Sequence, residues 1–136
     1  MIRTLLAAAA GFCLTTLPAF AQPAAPTGSW RCVANSQKGT VDLNLQVAPN
    51  GQLSGNGSVI YAGSYTAYNI QGNGDWTALP PDMNSNEWLF KFRLHPSNHP
   101  IVVIYARPTN DPNFLSNVYY NPQDGTTVRT SCQKQG

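Results

Sequence analysis

Two cysteines bracket the chain: Cys32 sits in its first strand-like segment and Cys132 in its last. A bond between them ties the ends of one domain together, and only folds that bring the first and last strands side by side accept it. A third cysteine, Cys13, lies in an N-terminal stretch that reads as an export signal. There Arg3 supplies the positive charge, and Leu5 to Leu17 is an apolar run too short to cross a bilayer as a helix. Pro18 interrupts the run, and Ala19-Phe20-Ala21 gives the small-x-small cleavage pattern. Cleavage after Ala21 removes Cys13 and leaves two thiols. One pairing is then possible, and an exported location, periplasmic or secreted, favours it. The alternative, a metal site, lacks the close cysteine pair that structural zinc uses.

Residues 22–27 form a short, flexible leader, and residues 28–136 read as one domain. Thr40 to Val47 is the clearest strand: Val41, Leu43, Leu45 and Val47 alternate with Asp42, Asn44 and Gln46, giving one buried and one wet face. Trp30, Cys32 and Ala34 alternate in the same way, and Gln37-Lys38-Gly39 and Pro49-Asn50-Gly51 mark turns. The next strand carries Leu53, Val59 and Tyr61 on one face, with Gly55 and Gly57 between them predicting a bend, a bulge or a close backbone approach. Tyr65 to Gln71 predicts a strand with Tyr68 and Ile70 in the core. Gly72-Asn73-Gly74 predicts a turn, and Asp75 to Leu79 a short strand.

Glu87 to Leu94 follows, with Trp88, Phe90, Phe92 and Leu94 on one side. Ile101 to Ala106 is apolar on both faces, as in a strand covered on both sides or one whose outer face meets a partner. Phe114 to Tyr120 and Thr126 to Cys132 are the last strands. Three proline-rich loops separate these elements: Pro80 to Asn86, His95 to Pro100 and Arg107 to Asn113.

The expected fold is therefore all-β: an eight- to nine-stranded antiparallel meander closing into a barrel, with a disulfide joining the first and last strands and a β-sandwich as the alternative. An immunoglobulin-type sandwich expects a tyrosine two residues before its second cysteine, where this chain has Thr130. Gly28-Ser29-Trp30 resembles the Gly-x-Trp opening of the calycin barrels, the lipocalin and avidin group, in which the tryptophan plugs one end of the barrel. The resemblance implies an arginine near the last strand stacked on that ring, and Arg129 is the tempting match. Its parity is opposite to that of Cys132, whereas Trp30 shares the parity of Cys32, so Arg129 is expected to point away.

Eight basic and six acidic side chains, one of the basic ones (Arg3) in the export signal, leave the domain close to neutral with no run of like charge. That argues against nucleic acid or an anionic membrane as the main partner, and no membrane-spanning segment is expected after cleavage. His95 and His99 stand four apart, but the prolines beside them forbid the helix that would present both rings to one metal ion. No metal or other cofactor is expected. The carboxylates are scattered over turns and wet faces, and no nucleophile motif is present, so no catalytic role is expected. Aromatic side chains are the better candidates for binding: Tyr61, Tyr65, Tyr68 and Trp76, then Tyr105, Tyr119 and Tyr120, together with His95 and His99 of the proline-bounded loop. The expectation is an exported, non-catalytic binding protein, an inhibitor-like module that engages another protein through its proline-rich rim loops. The alternative is a barrel that binds a small apolar molecule or sugar, against which the large inward residues Trp88 to Leu94 argue.

Overall fold

The computed structural model describes residues 24–79 and 88–136. The signal-like segment and the loop Pro80 to Asn86 lie outside the described residues. Eight strands follow one another: β1 (Gly28–Ser36), β2 (Gly39–Val47), β3 (Gln52–Tyr61), β4 (Tyr68–Ala78), β5 (Phe90–Pro96), β6 (Val102–Pro108), β7 (Phe114–Tyr120) and β8 (Thr127–Gln135). Each pairs antiparallel with the next, and β8 returns to β1, so the sheet closes into a barrel with no free edge. Cys32 and Cys132 are opposite each other in the β1–β8 ladder and form the disulfide, with 100 positions of chain between them. The sandwich alternative is excluded by that closure.

Alternation decides which side chains fill the interior. Leu43 and Leu45 of β2, Ile70 of β4, Phe90, Phe92 and Leu94 of β5, and Ile104 and Ala106 of β6 all lie in one buried cluster with the disulfide. An eight-stranded barrel has an interior just wide enough for such side chains to fill. The glycines of β3 and β4 let the sheet curl. A Cβ on Gly57 would lie 1.9 Å from the Asp42 carbonyl oxygen, and one on Gly74 would lie 1.7 Å from that of Arg93. Neither position admits a side chain, and both lie where strands must bend around the barrel.

Two polar side chains interrupt this apolar filling. Asn117 is only 1% exposed, and its inward position opposite Thr130 places it in the core layer beside Ala106. Neither the Asn117 amide atoms nor the Thr130 hydroxyl has a hydrogen-bond partner among the described residues.

Three expectations need correction. Gly72-Asn73-Gly74 is not a turn: β4 runs unbroken from Tyr68 to Ala78, and the glycines serve curvature within it. Tyr68 is not core, since it opens β4 at the rim and is half exposed, although Ile70 two residues later is buried. Tyr65 lies outside β4, in the loop after Ala62, with its side chain fully exposed.

The double apolarity of Ile101 to Ala106 has an internal explanation. Val102, Ile104 and Ala106 face the core, while Val103 faces outward yet is only 5% exposed. Val118 on β7 is likewise outward and 7% exposed. Tyr105 stands opposite Val118 and Tyr120 opposite Val103, and the two rings meet edge to face at 6.2 Å.

Candidate functional site: the open mouth of the barrel

A meander of hairpins sends alternate connections to opposite ends. The β1–β2, β3–β4, β5–β6 and β7–β8 connections gather at one end, and the β2–β3, β4–β5 and β6–β7 connections at the other. The two proline-rich loops among the described residues are therefore divided: His95 to Pro100 belongs to the first end, and Arg107 to Asn113 to the second. Together they do not make one rim.

The second end is plugged. The Trp30 indole donates to the Pro26 carbonyl at 2.9 Å, which pins the residues before β1 across the barrel floor. Lys134, the register partner of Trp30 on β8, places its ammonium 5.8 Å from the ring centroid. Arg129, at the opposite parity, is the outward register partner of Val118. The cation against the plugging tryptophan is thus a lysine five residues further on. Trp76 also serves this end: its indole donates to the Ala48 carbonyl at 2.6 Å and its ring meets Phe90 edge to face at 6.0 Å.

The first end is open. A cavity of about 200 Å³ enters the barrel there, walled by the inward side chains Ala34, Val41, Val59, Tyr61, Tyr119 and Val128. Its rim is polar, with Lys38, His99, Asn121, Gln123 and Thr126 around the opening. Tyr61 is held from two sides: it stacks on His99 at 6.5 Å between ring centroids and meets Tyr68 edge to face at 5.7 Å. His99 in turn shares a hydrogen bond with the Pro100 carbonyl, which fixes the ring within its proline-bounded loop. Across the mouth the Lys38 ammonium pairs with Asp124, bridging the β1–β2 turn to the β7–β8 loop. Hydrogen bonds from Lys38 and Thr126 hold the Asp124 carboxyl well below the usual carboxylate range. Burial pushes the Tyr119 phenol up, with smaller contributions from Tyr61 and Asp124. Aromatic walls with few rotatable bonds and a cross-braced rim make a cup that is formed before anything enters it.

Of the candidate residues, Tyr61, Tyr68, His99 and Tyr119 come together at this mouth, and Tyr65 projects from a loop of the same end. The others do not join them. Trp76 packs at the plugged end, Tyr105 and Tyr120 are on the outer wall, and His95 is exposed opposite Asn73. Lys38, Asn121, Gln123, Asp124, Thr126 and Val128 carry no signal of a site in the sequence, where they are ordinary turn and strand residues. Only the rule that alternate hairpin connections share an end would have gathered them.

The described carboxylates are occupied. Asp42 accepts from Arg31 at 2.7 Å and Asp75 from Arg93 at 2.6 Å, both held below their ordinary values chiefly by those hydrogen bonds. Asp111 accepts from the Asn113 backbone within its own turn. A general acid needs its pKa raised, the opposite of what these pairs do. Among the described residues no three His, Cys, Asp or Glu side chains gather where a metal ion could sit.

Fold and mouth together define a closed antiparallel β-barrel with one plugged and one open end, an architecture compatible with the calycin-like barrels. Comparison with protein-family models and with curated proteins gives no match to the chain.

Proposed function

We propose that this is an exported, non-catalytic binding protein that receives one projecting group of a partner protein in the open mouth of its barrel. The observation that carries this reading is the cup itself: an apolar cavity walled by Tyr61, Tyr119 and three valines, under a rim of hydrogen-bonding groups. Its 200 Å³ corresponds to roughly six or seven waters at about 30 Å³ each. Pockets for drug-sized molecules start at about 300 Å³, so the cup suits a single apolar side chain or one small ring. A small free ligand is the second reading, limited by the same volume to a molecule of ring size. Export is supported by the signal-like N-terminus and by a disulfide, which persists in oxidising compartments.

The test is selection of short peptides on the oxidised domain, followed by mapping of the bound peptide by amide chemical shifts. The reading expects selected peptides to share one apolar anchor residue, to shift Val41, Val59, Tyr119 and Val128, and to lose binding with Val128→Trp, which fills the cup. Peptides that shift only the outer wall, or that bind Val128→Trp unchanged, overturn it. Binding of small ring compounds with no selected peptide favours the second reading.

A further inference from the structure

The polar pair in the core lies directly under the cup. Alternation sends Tyr119, Asn117 and Leu115 of β7 inward, and Val128, Thr130 and Cys132 of β8 with them. These residues are successive register pairs: Tyr119 with Val128, Asn117 with Thr130, and Leu115 with Cys132. Tyr119 and Val128 wall the cup. Asn117 and Thr130 therefore form the next layer down, about 7 Å deeper along the strands. Below them Leu115 and the disulfide belong to the apolar core.

Both Asn117 amide atoms and the Thr130 hydroxyl are buried without a partner among the described residues. Small side chains stand beside them: Ala106 pairs with Asn117, and Ala34 borders a narrow void together with Thr130. That void has no room for a water molecule. Ala34, Val41 and Tyr119 border both the void and the cup, and the Tyr119 ring is the largest of the three. Buried polar groups are nearly always bonded, and an exception costs stability. Departures of that kind gather at functional sites.

We infer that Asn117 and Thr130 are the specificity floor of the cup, placed to bond the hydroxyl of a tyrosine side chain projecting from the partner, an assignment that rests on the cup being the receptor proposed above. An amide and a hydroxyl can each donate and accept, which suits a hydroxyl that does both. No charged residue borders the void, so a lysine, arginine or carboxylate tip would be buried unpaired. Serine and threonine have too little apolar surface to fill the 200 Å³ above. A glutamine stem has more rotamer freedom to lose. A phenol brings an apolar ring for the walls of Tyr61, Tyr119 and the valines, few torsions to fix, and a hydroxyl at its far end. For that hydroxyl to reach Thr130, the Tyr119 ring turns aside and joins the void to the cup. The floor groups lost their water on folding, so bonding them requires no further desolvation of the protein.

The test uses the oxidised domain with p-cresol and toluene, which differ only by the hydroxyl, and with cup-binding peptides anchored by tyrosine or by phenylalanine. The floor expects p-cresol to shift the Asn117 side-chain amide and the Thr130 backbone amide, and to bind about tenfold tighter than toluene. Tyrosine anchors should exceed phenylalanine anchors by a similar factor. Thr130→Val keeps the shape, removes the hydroxyl and should bring both ratios towards one. The comparison of p-cresol with toluene on the unaltered protein needs no variant to fold. Three results overturn the inference: p-cresol binding no tighter than toluene, ratios that survive Thr130→Val, or a long-lived water contact at the Asn117 side-chain amide of the free protein, which would give that group its partner already. Toluene or phenylalanine-anchored peptides that fill the cup without such a preference remove the floor and leave the cup as receptor. Failure of every probe to shift Val41, Val59 and Val128 removes both.

Discussion

Replacing both cysteines by alanine measures how much the barrel depends on its seam. The cross-link encloses 100 positions of chain. In the chain-entropy account a loop of that length restricts the unfolded ensemble by about 4.7 kcal/mol at 25 °C. Loss of the sulfurs of two cysteines that are 3% and 0% exposed removes packing as well. The native seam does not consist of the disulfide alone, because five register pairs from Ser29–Gln135 to Val33–Ser131 remain when it is gone. Cys32→Ala with Cys132→Ala is therefore expected to keep its strand signal at low temperature while losing about 3–5 kcal/mol of stability. A domain of this size typically has about 5–15 kcal/mol in total, and the thermal midpoint should fall by roughly 13–22 °C. Urea unfolding followed by tryptophan emission and far-ultraviolet dichroism supplies the free energy and the slope. The slope discriminates the mechanism: an unfolded chain released from its cross-link exposes more surface, so the slope should rise. A loss below about 1 kcal/mol with an unchanged slope would refute the reasoning, because the cross-link would then not restrain the unfolded chain.

Other outcomes follow from single positions. Gly57→Ala and Gly74→Ala force a Cβ onto a carbonyl oxygen and should each cost more than about 2 kcal/mol. In Gly55→Ala the nearest clash, at 2.8 Å, is with the Leu45 side-chain methyl, so thermal melts should show a smaller loss. Thr130→Val keeps the shape and removes a buried hydroxyl without a protein partner, so calorimetry should find the variant more stable by about 1–3 kcal/mol; a loss would mean that the hydroxyl is bonded in solution. Asp42, Asp75 and Asp124 have lowered folded pKa values, so their contribution is present above about pH 4 and lost as pH falls through those values. Urea midpoints from pH 5 to pH 2 should decline, and less so at high salt. Tyr119, raised by burial, contributes stability that is intact below about pH 10 and lost as pH climbs from there. Absorbance titration should show one phenol ionising above the ordinary tyrosine range, and Tyr119→Phe should remove that late step.

Alternation in Thr40 to Val47 and the bracketing cysteines made the barrel legible, because a period of two and a cross-link between end strands are local facts with a global consequence. Sequence misleads where a residue type has two uses. Gly72-Asn73-Gly74 has turn chemistry, but its glycines are also what a strand needs to pass close to the Arg93 and His95 carbonyls. Tyr68 has core parity but stands at the strand end, where parity no longer implies burial. At the mouth, Tyr61 and Tyr119 were visible as aromatics, whereas Lys38 and Asp124 become partners only when two connections 86 positions apart meet at one end.

The chain enters β1 and leaves β8 at the same pole, where Ser29 lies beside Gln135. The cup opens at the opposite pole, so a carrier, surface or tag joined beyond Gln135 presents the cup outward, like a goblet standing on its foot. The same adjacency lets a short linker join the two ends and the chain be cut instead at the exposed Gly63 turn, yielding a permuted protein with its entrance and its foot exchanged along the sequence but not in space.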